Sequence, residues 1–269
     1  MLQNLKIEWL KIKNYKVFQV FSILYVLGIL AIVLIFYYIY IKIVESMPVI
    51  GQMQKAEDKK DLFDLFGAEN IWKSITYSTS FLLYLPGMII ISLFTNEVNF
   101  KTHRQNIIDG WKRETFIYSK ITLIVCFSII ITLVNALAVI VMALITKNPI
   151  SFEGSYMLVY SFFQAFTYLL FALTLATIFR KSGVAIILFF VYGLLLELLF
   201  AGLINSKLGL TPAGYFLPLQ VADSLTPMPK GNNLFYPNMP EQYIMLIGTV
   251  VMCSVYIFFA VRKYKYDDL

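Results

Sequence analysis

Six long stretches of the sequence carry almost no charged side chain, and they limit what the chain can fold into. They lie at residues 17–41, 75–94, 121–146, 156–179, 184–204 and 243–261. An α-helix needs about 20 apolar residues to cross ~30 Å of hydrocarbon. We therefore expect an all-α integral membrane protein, in which residues 1–269 form one domain with six transmembrane helices.

The composition agrees with a membrane environment. Charged residues make up 14% of the chain, against roughly 25% in soluble domains, and hydrophobic residues make up 59%. A soluble fold of 269 residues could not bury so much apolar surface, whereas lipid is a solvent for it. The first stretch is too long for the core of a signal peptide, and no small-residue cleavage site follows it, so we expect it to be retained.

The distribution of Lys and Arg predicts the orientation. Most of them fall before the first stretch, between the second and third, between the fourth and fifth, and after the sixth. Because cytoplasmic loops are enriched in Lys and Arg, we expect both termini in the cytoplasm and the chain in the bacterial cytoplasmic (inner) membrane. The net charge of +6 then reflects topology, and no basic face on a soluble element suggests binding to nucleic acid.

Residues 1–16 have the pattern of an amphipathic helix. At about 100° per residue, one face carries Leu2, Leu5, Trp9 and Ile12. The opposite face is polar and includes Glu8 and Lys11. Such a helix lies among membrane lipid headgroups, with Trp at the interface and Lys near anionic lipid. The alternative is a basic segment beside the membrane that only sets topology.

The segment at residues 205–242, between the fifth and sixth stretches, holds six of the nine prolines. Its first part, residues 208–221, is apolar but too short to cross a membrane. We expect a broken, re-entrant external element packed against protein, because lipid cannot satisfy irregular backbone. The alternative is a hydrophobic loop resting on the external surface.

The chain is poor in groups that carry chemistry. His103 is its one histidine, which leaves no His cluster for a metal site. It has no G-x-x-x-x-G-K-[ST] loop and no Gly-rich dinucleotide fingerprint. Cys126 and Cys253 both fall inside predicted helices, so a structural disulfide is not expected. We therefore expect no catalytic residue, metal or cofactor in this chain.

The loop at residues 95–119 is much longer than the turn at residues 180–183, which is predicted on the same side. Thr102 is a candidate N-cap, and Asp109-Gly110 is a candidate stop, for a short helix between them. The helix would present apolar residues beside a basic rim, namely Ile107, Ile108 and Trp111 next to Arg104, Lys112 and Arg113. This pattern favours docking into a groove on a partner. The alternative is a basic loop that only enforces topology.

This loop resembles the first cytoplasmic loop of the permease subunits of ATP-binding-cassette transporters of the type-2 exporter superfamily. The residues that carry the resemblance, in the family's order, are Glu97, Lys101-Thr102, Arg104, Ile107-Ile108, Gly110, Arg113 and Ser119-Lys120. The family often has Gly-Thr at Lys101-Thr102 and Pro at Gly110-Trp111. The resemblance is at motif level only over this loop, and elsewhere it concerns architecture.

The resemblance implies a function. The chain would be the membrane-spanning subunit of an exporter, pairing with a second permease as a homo- or heterodimer and with separate ATPase subunits that bind ATP and Mg²⁺. The coupling residues it implies are Glu97, Lys101, Thr102, His103, Arg104, Gln105, Asn106, Ile107, Ile108 and Arg113. The alternative, from a different class, is a scaffold or accessory subunit that transports nothing.

Glu197 is the one charged residue inside a predicted transmembrane helix. A carboxylate at such depth must face protein or water. It is either a polar point on a translocation path or subunit interface, or the acceptor of a structural hydrogen bond. Asn135 and Gln164, in the third and fourth helices, are candidate partners with the same two interpretations. Pro212 and Pro218, in the re-entrant element, are further candidates for the path.

Overall fold

The computed structural model describes residues 2–46, 65–67, 70–102, 105, 108, 112–147, 151–207, 212–229 and 238–266. Within these residues every regular element is helical. The elements are α1 (Leu2–Lys13), α2 (Lys16–Ser46), α3 (Asn70–Asn99), α4 (Arg113–Thr146), α5 (Tyr156–Phe179), α6 (Ser182–Asn205), α7 (Gln220–Asp223) and α8 (Gln242–Tyr266).

Six of these helices, α2 to α6 and α8, are long and apolar enough to cross a membrane. Each contains one of the six charge-poor stretches, so the predicted all-α architecture with six helices of spanning length is confirmed. Their outward faces are apolar, as at Leu34, Ile187 and Leu198. Faces of this kind need lipid as their solvent, and the chain is a multi-pass membrane protein.

Helix α5 forms the centre of the bundle. It packs against α3, α4, α6 and α8, and its middle is buried on nearly every side, from Leu169 to Leu173. Helix α3 is also mostly buried, whereas α2 and α6 lie at the periphery. Several polar side chains on α3 and α5, such as Thr95, Gln164 and Thr167, are therefore enclosed by protein.

The two ends of the helix bundle are distinguished by the side-chain contacts formed at each end. At the end that carries α1, which we call the N side, Phe116 of α4 stacks on Tyr264 of α8 with ring centroids 5.0 Å apart. At the opposite side, the indole Nε1 of Trp72 donates to the backbone oxygen of Ser151 at 2.8 Å. The loop between α3 and α4 therefore leaves from the N side.

Helix α6 is irregular. Two π-helical turns, Tyr192–Leu196 and Leu203–Lys207, flank the regular turn and a half at Glu197–Gly202. Gly193 lies in the first π turn, where the Tyr84 hydroxyl approaches so closely that a Cβ at position 193 would lie 2.4 Å from it. Such turns mark functional sites in many proteins, and here they bracket Glu197, the one carboxylate inside the six charge-poor stretches.

Gly87 allows α3 and α6 to touch. A Cβ at this position would lie 2.3 Å from Cε1 of the buried Phe189 ring. We expect Gly87→Ala to lower the free energy of unfolding by about 1–3 kcal/mol through overpacking. The melting temperature of the detergent-solubilised protein measures this change. Gly183→Ala is the matched control because nothing lies within 4 Å of that Cβ, and an equal loss in both variants would contradict the argument.

Candidate functional site

A buried charge network lies on the N side, where the loop between α3 and α4 begins and ends. Lys120 is 3% exposed, and its Nζ contacts one carboxylate oxygen of Glu8 and one of Glu97. Lys11 Nζ donates to Glu97 Oε2 at 3.2 Å. Ser119 Oγ donates to Glu8 Oε1 at 3.4 Å. We call these five residues the N-side network.

The N-side network joins three helices. Glu8 and Lys11 come from α1, Glu97 from the last turn of α3, and Lys120 from the second turn of α4. Among the described residues, two carboxylates face two ammonium groups in an environment where an unpaired charge is costly. The two helices that flank the loop are therefore tied to each other and to α1.

Hydrogen bonds hold both flanks of the loop. Lys101 has a left-handed backbone with φ of 57°, which ends α3. The Thr102 hydroxyl donates to the Glu97 backbone oxygen at 3.2 Å, so it caps the end of α3. Arg113 begins α4, and its Nη1 donates to the Lys265 backbone oxygen at 3.3 Å.

Within the loop, Thr102, Gln105 and Ile108 are helical and exposed, and the Ile108 side chain is 83% exposed. The other predicted coupling residues lie outside the described residues, namely His103, Arg104, Asn106 and Ile107. Because the Ile108 side chain is mostly exposed, it contributes little to the packing of this chain.

Helix α1 is oriented differently from the prediction. Trp9 and Ile12 were expected on one apolar face, but Ile12 is buried while Trp9 is half-exposed. Glu8, expected on the polar face, is buried against Lys120. The ion pair therefore decides which face of α1 contacts the bundle. The sequence signal that was overlooked is a pair of opposite charges, Glu97 and Lys120, at the facing ends of two spans.

A second polar cluster lies towards the opposite side, around the short helix α7. Glu197 is 2% exposed, and its Oε1 accepts the backbone N–H groups of Leu219 at 2.6 Å and Gln220 at 2.9 Å. It thereby caps the N-terminus of α7 from another helix. The second oxygen, Oε2, is buried and has no hydrogen-bond partner among the described residues.

Asp223 closes the other end of α7. Its Oδ1 accepts Gln164 Nε2 at 2.9 Å and Tyr168 Oη at 2.8 Å, and both donors belong to α5. Thr226 Oγ1 donates to Gln164 Oε1 at 2.9 Å, so both polar atoms of the amide are bonded. We call Glu197, Asp223, Gln164, Tyr168 and Thr226 the α7 cluster.

Helix α8 also holds the segment at residues 212–226. Tyr256 Oη donates to the Pro218 backbone oxygen at 2.9 Å, and Thr249 Oγ1 donates to the Val221 backbone oxygen at 3.3 Å. With the contacts from α5 and α6, the segment is bonded to three long helices. Side chains of α6 and α8 therefore satisfy several groups of its irregular backbone.

The predicted polar residues inside the spans are not all brought together. Glu197 bonds to backbone, and neither Asn135 nor Gln164 is its partner. Asn135 Nδ2 instead donates to Ser161 Oγ at 2.7 Å. Pro212 is exposed at the start of the α7 segment. Asp223 was missed, although it lies two residues after the apolar stretch and is the first acidic residue after Glu197.

No group of three or more His, Cys, Asp or Glu side chains that could hold a metal ion occurs among the described residues. Cys126 and Cys253 are free thiols. Cys253 lies 3.2 Å from Thr167 Oγ1.

A model of the family described as "Protein of unknown function (DUF2705)" matches residues 52–269, which is most of the chain. The chain belongs to the DUF2705 family. The DUF2705 match includes Glu97, Lys120, Glu197 and Asp223, whereas Glu8 precedes it. No curated protein matches the chain significantly, and no solved structure does.

Proposed function

We propose that this DUF2705 protein is the membrane-spanning permease subunit of an ATP-driven exporter, coupled to a separate ATPase through residues 97–113. The observation that carries the proposal is the N-side network. It fixes both flanks of the loop to α1, so that a force on the loop is transmitted to three helices together. The resemblance of the loop to the type-2 exporters supplies the kind of partner.

In this proposal the N side faces the cytoplasm and α1 lies at the lipid interface, where its half-exposed Trp9 contacts headgroups. The segment at residues 212–226 is the re-entrant element, because its backbone bonds to two long helices, α6 and α8. A second permease completes the path, since α5 fills the centre of a single bundle. ATP and Mg²⁺ belong to the partner.

Ile108 provides the sharpest test. Because its side chain is 83% exposed, Ile108→Asp is expected to leave the melting temperature of the isolated protein unchanged. The same change is expected to abolish co-purification of an ATPase with a phosphate-binding loop, since an aspartate would enter the ATPase groove unpaired. Affinity purification followed by mass spectrometry and an ATP-turnover assay measures both effects.

Phe152→Asp is the matched control, because Phe152 is 78% exposed on the opposite side. It should leave the complex intact, and Arg104→Glu should behave like Ile108→Asp. If the complex and its ATP turnover survive the changes at both loop positions, the exporter proposal fails. An ATPase that binds but turns over ATP at the same rate with and without this chain would favour the accessory-subunit alternative.

A further inference from the structure

Glu197 is a buried acid without a counter-charge. Its side chain is 2% exposed, and it belongs to a helix whose outward faces are apolar. Among the described residues it forms no ion pair with a Lys or Arg, in contrast to Glu8 and Glu97, which both contact Lys120. Burying an ionised carboxylate in such a place costs far more free energy than burying a neutral acid. Burial therefore favours the protonated form of Glu197.

The titratable groups around Glu197 offer no compensating charge. Those within electrostatic range come from five helices, and every one is an acid: Tyr84 of α3, Tyr168 of α5, Tyr192 of α6, Asp223 of α7 and Tyr256 of α8. Tyrosine is neutral at physiological pH and aspartic acid is neutral or negative. An ionised Glu197 would therefore face no positive charge in the part of the chain that the structure describes.

The hydrogen bonds of Glu197 indicate which oxygen carries the proton. Oε1 accepts the N–H groups of Leu219 and Gln220, so it is the carbonyl oxygen of a protonated acid. Oε2 is buried and has no partner among the described residues. A hydroxyl there lacks one hydrogen bond, which costs much less than an unpaired charge. The two N–H bonds favour ionisation, but they reach only one oxygen, and α7 has four residues and hence a small dipole.

We infer that Glu197 binds a proton in the folded protein and that this neutral form latches the segment at residues 212–226 to α6. Glutamine would cap α7 equally well, so the property that glutamate adds is a proton that can leave to water. Once ionised, the carboxylate requires hydration, and Leu219 and Gln220 lie directly against it. Loosening their segment admits water. The inference does not depend on an ATPase partner.

Infrared difference spectra test the protonation state of the full chain at neutral pH, in a detergent without ester groups. A protonated carboxyl has a carbonyl stretching band that an ionised carboxylate lacks. The wild type should show such a band and Glu197→Gln should lose it, whereas Glu153→Gln, at a side chain exposed to water, should lose none. Heavy-carbon labelling of the glutamate side chains should shift the band in the wild type, which tests the assignment without a substitution. A wild-type spectrum with no label-sensitive band of this kind would overturn the inference.

The latch is tested by the pH dependence of stability. In the unfolded chain residue 197 reaches water, where glutamic acid ionises at about pH 4.3. The folded protein then holds one proton more than the unfolded protein at neutral pH, so its stability falls as the pH rises. Between about pH 6 and pH 9, the folding equilibrium constant of the wild type should fall by up to tenfold per pH unit relative to Glu197→Gln. Reversible unfolding in mixed detergent micelles measures this constant.

Limited proteolysis over the same pH range tests where the protein loosens. Cleavage within residues 212–226 should become faster with rising pH in the wild type and stay slow in Glu197→Gln, because glutamine keeps the cap and has no proton to lose. Parallel pH profiles of stability or of cleavage in the two proteins would contradict the latch.

Discussion

Lys120→Met is expected to lower the free energy of unfolding by about 3–5 kcal/mol, because it leaves two buried carboxylates without their shared ammonium group. Lys120 is 3% exposed, and Glu8 and Glu97 both contact its Nζ. Methionine preserves the length and apolar volume of the side chain, so the loss comes from charge. Thermal unfolding in detergent, followed by α-helical circular dichroism, measures it.

Lys265→Met is the control for this prediction. Lys265 Nζ lies 2.6 Å from Glu114 Oε1, but the two side chains are 47% and 38% exposed. Because water screens such a surface pair, its loss should shift the melting temperature little. Adding Glu8→Gln and Glu97→Gln to Lys120→Met should recover much of the stability, since no buried charge is then left unpaired there. Equal shifts in the two single lysine variants would contradict the role of the N-side network.

Glu197→Ala is expected to lower the free energy of unfolding by about 2–5 kcal/mol. It leaves two buried N–H groups without a hydrogen-bond acceptor and opens a cavity. The N–H groups belong to Leu219 and Gln220, which begin α7. Losing them should also loosen the segment at residues 212–226, which would still bond to α6 from Gly214 N–H to Asn205 Oδ1. Thermal unfolding and limited proteolysis of the folded protein measure the two effects.

Glu197→Gln separates capping from charge. The glutamine oxygen can still accept both N–H groups, so most of the stability and the protease resistance should remain. Glu153→Ala, at an exposed acid on the side opposite the N side, controls for loss of charge alone. If the alanine and glutamine variants at position 197 unfold at the same temperature, Glu197 does not act as the cap of α7.

The six long helices could be predicted because the length of a charge-poor run reflects the thickness of a bilayer directly. The orientation of α1 could not be predicted, because the burial of Glu8 depends on Lys120, which is distant in sequence. A helical face that looks polar in isolation becomes the packing face once its charge has a partner. Glu97 and Lys120 were named through the loop's resemblance, but their contact with α1 was not.

The α7 cluster was predictable only in part. Glu197 and Gln164 are conspicuous as polar residues in apolar helices, and they were singled out for that reason. The partners of Glu197 are backbone groups, which every residue carries, so no side-chain pattern indicates them. Asp223 lies in a proline-rich segment that has no helical period, and only the fold brings it to α5.

The π turn at Tyr192–Leu196 makes the length of α6 matter as much as its chemistry. Such a turn holds one residue more than a regular turn, and each residue of an α-helix rotates its successor by about 100°. Because the extra residue is taken up within that one turn, deleting a single residue between Val191 and Glu197 should restore regular winding and leave the carboxylate facing α7. Deleting one residue from the regular helix before it, within Ser182–Val191, should instead turn the carboxylate by about 100° and separate Glu197 from the backbone that it caps.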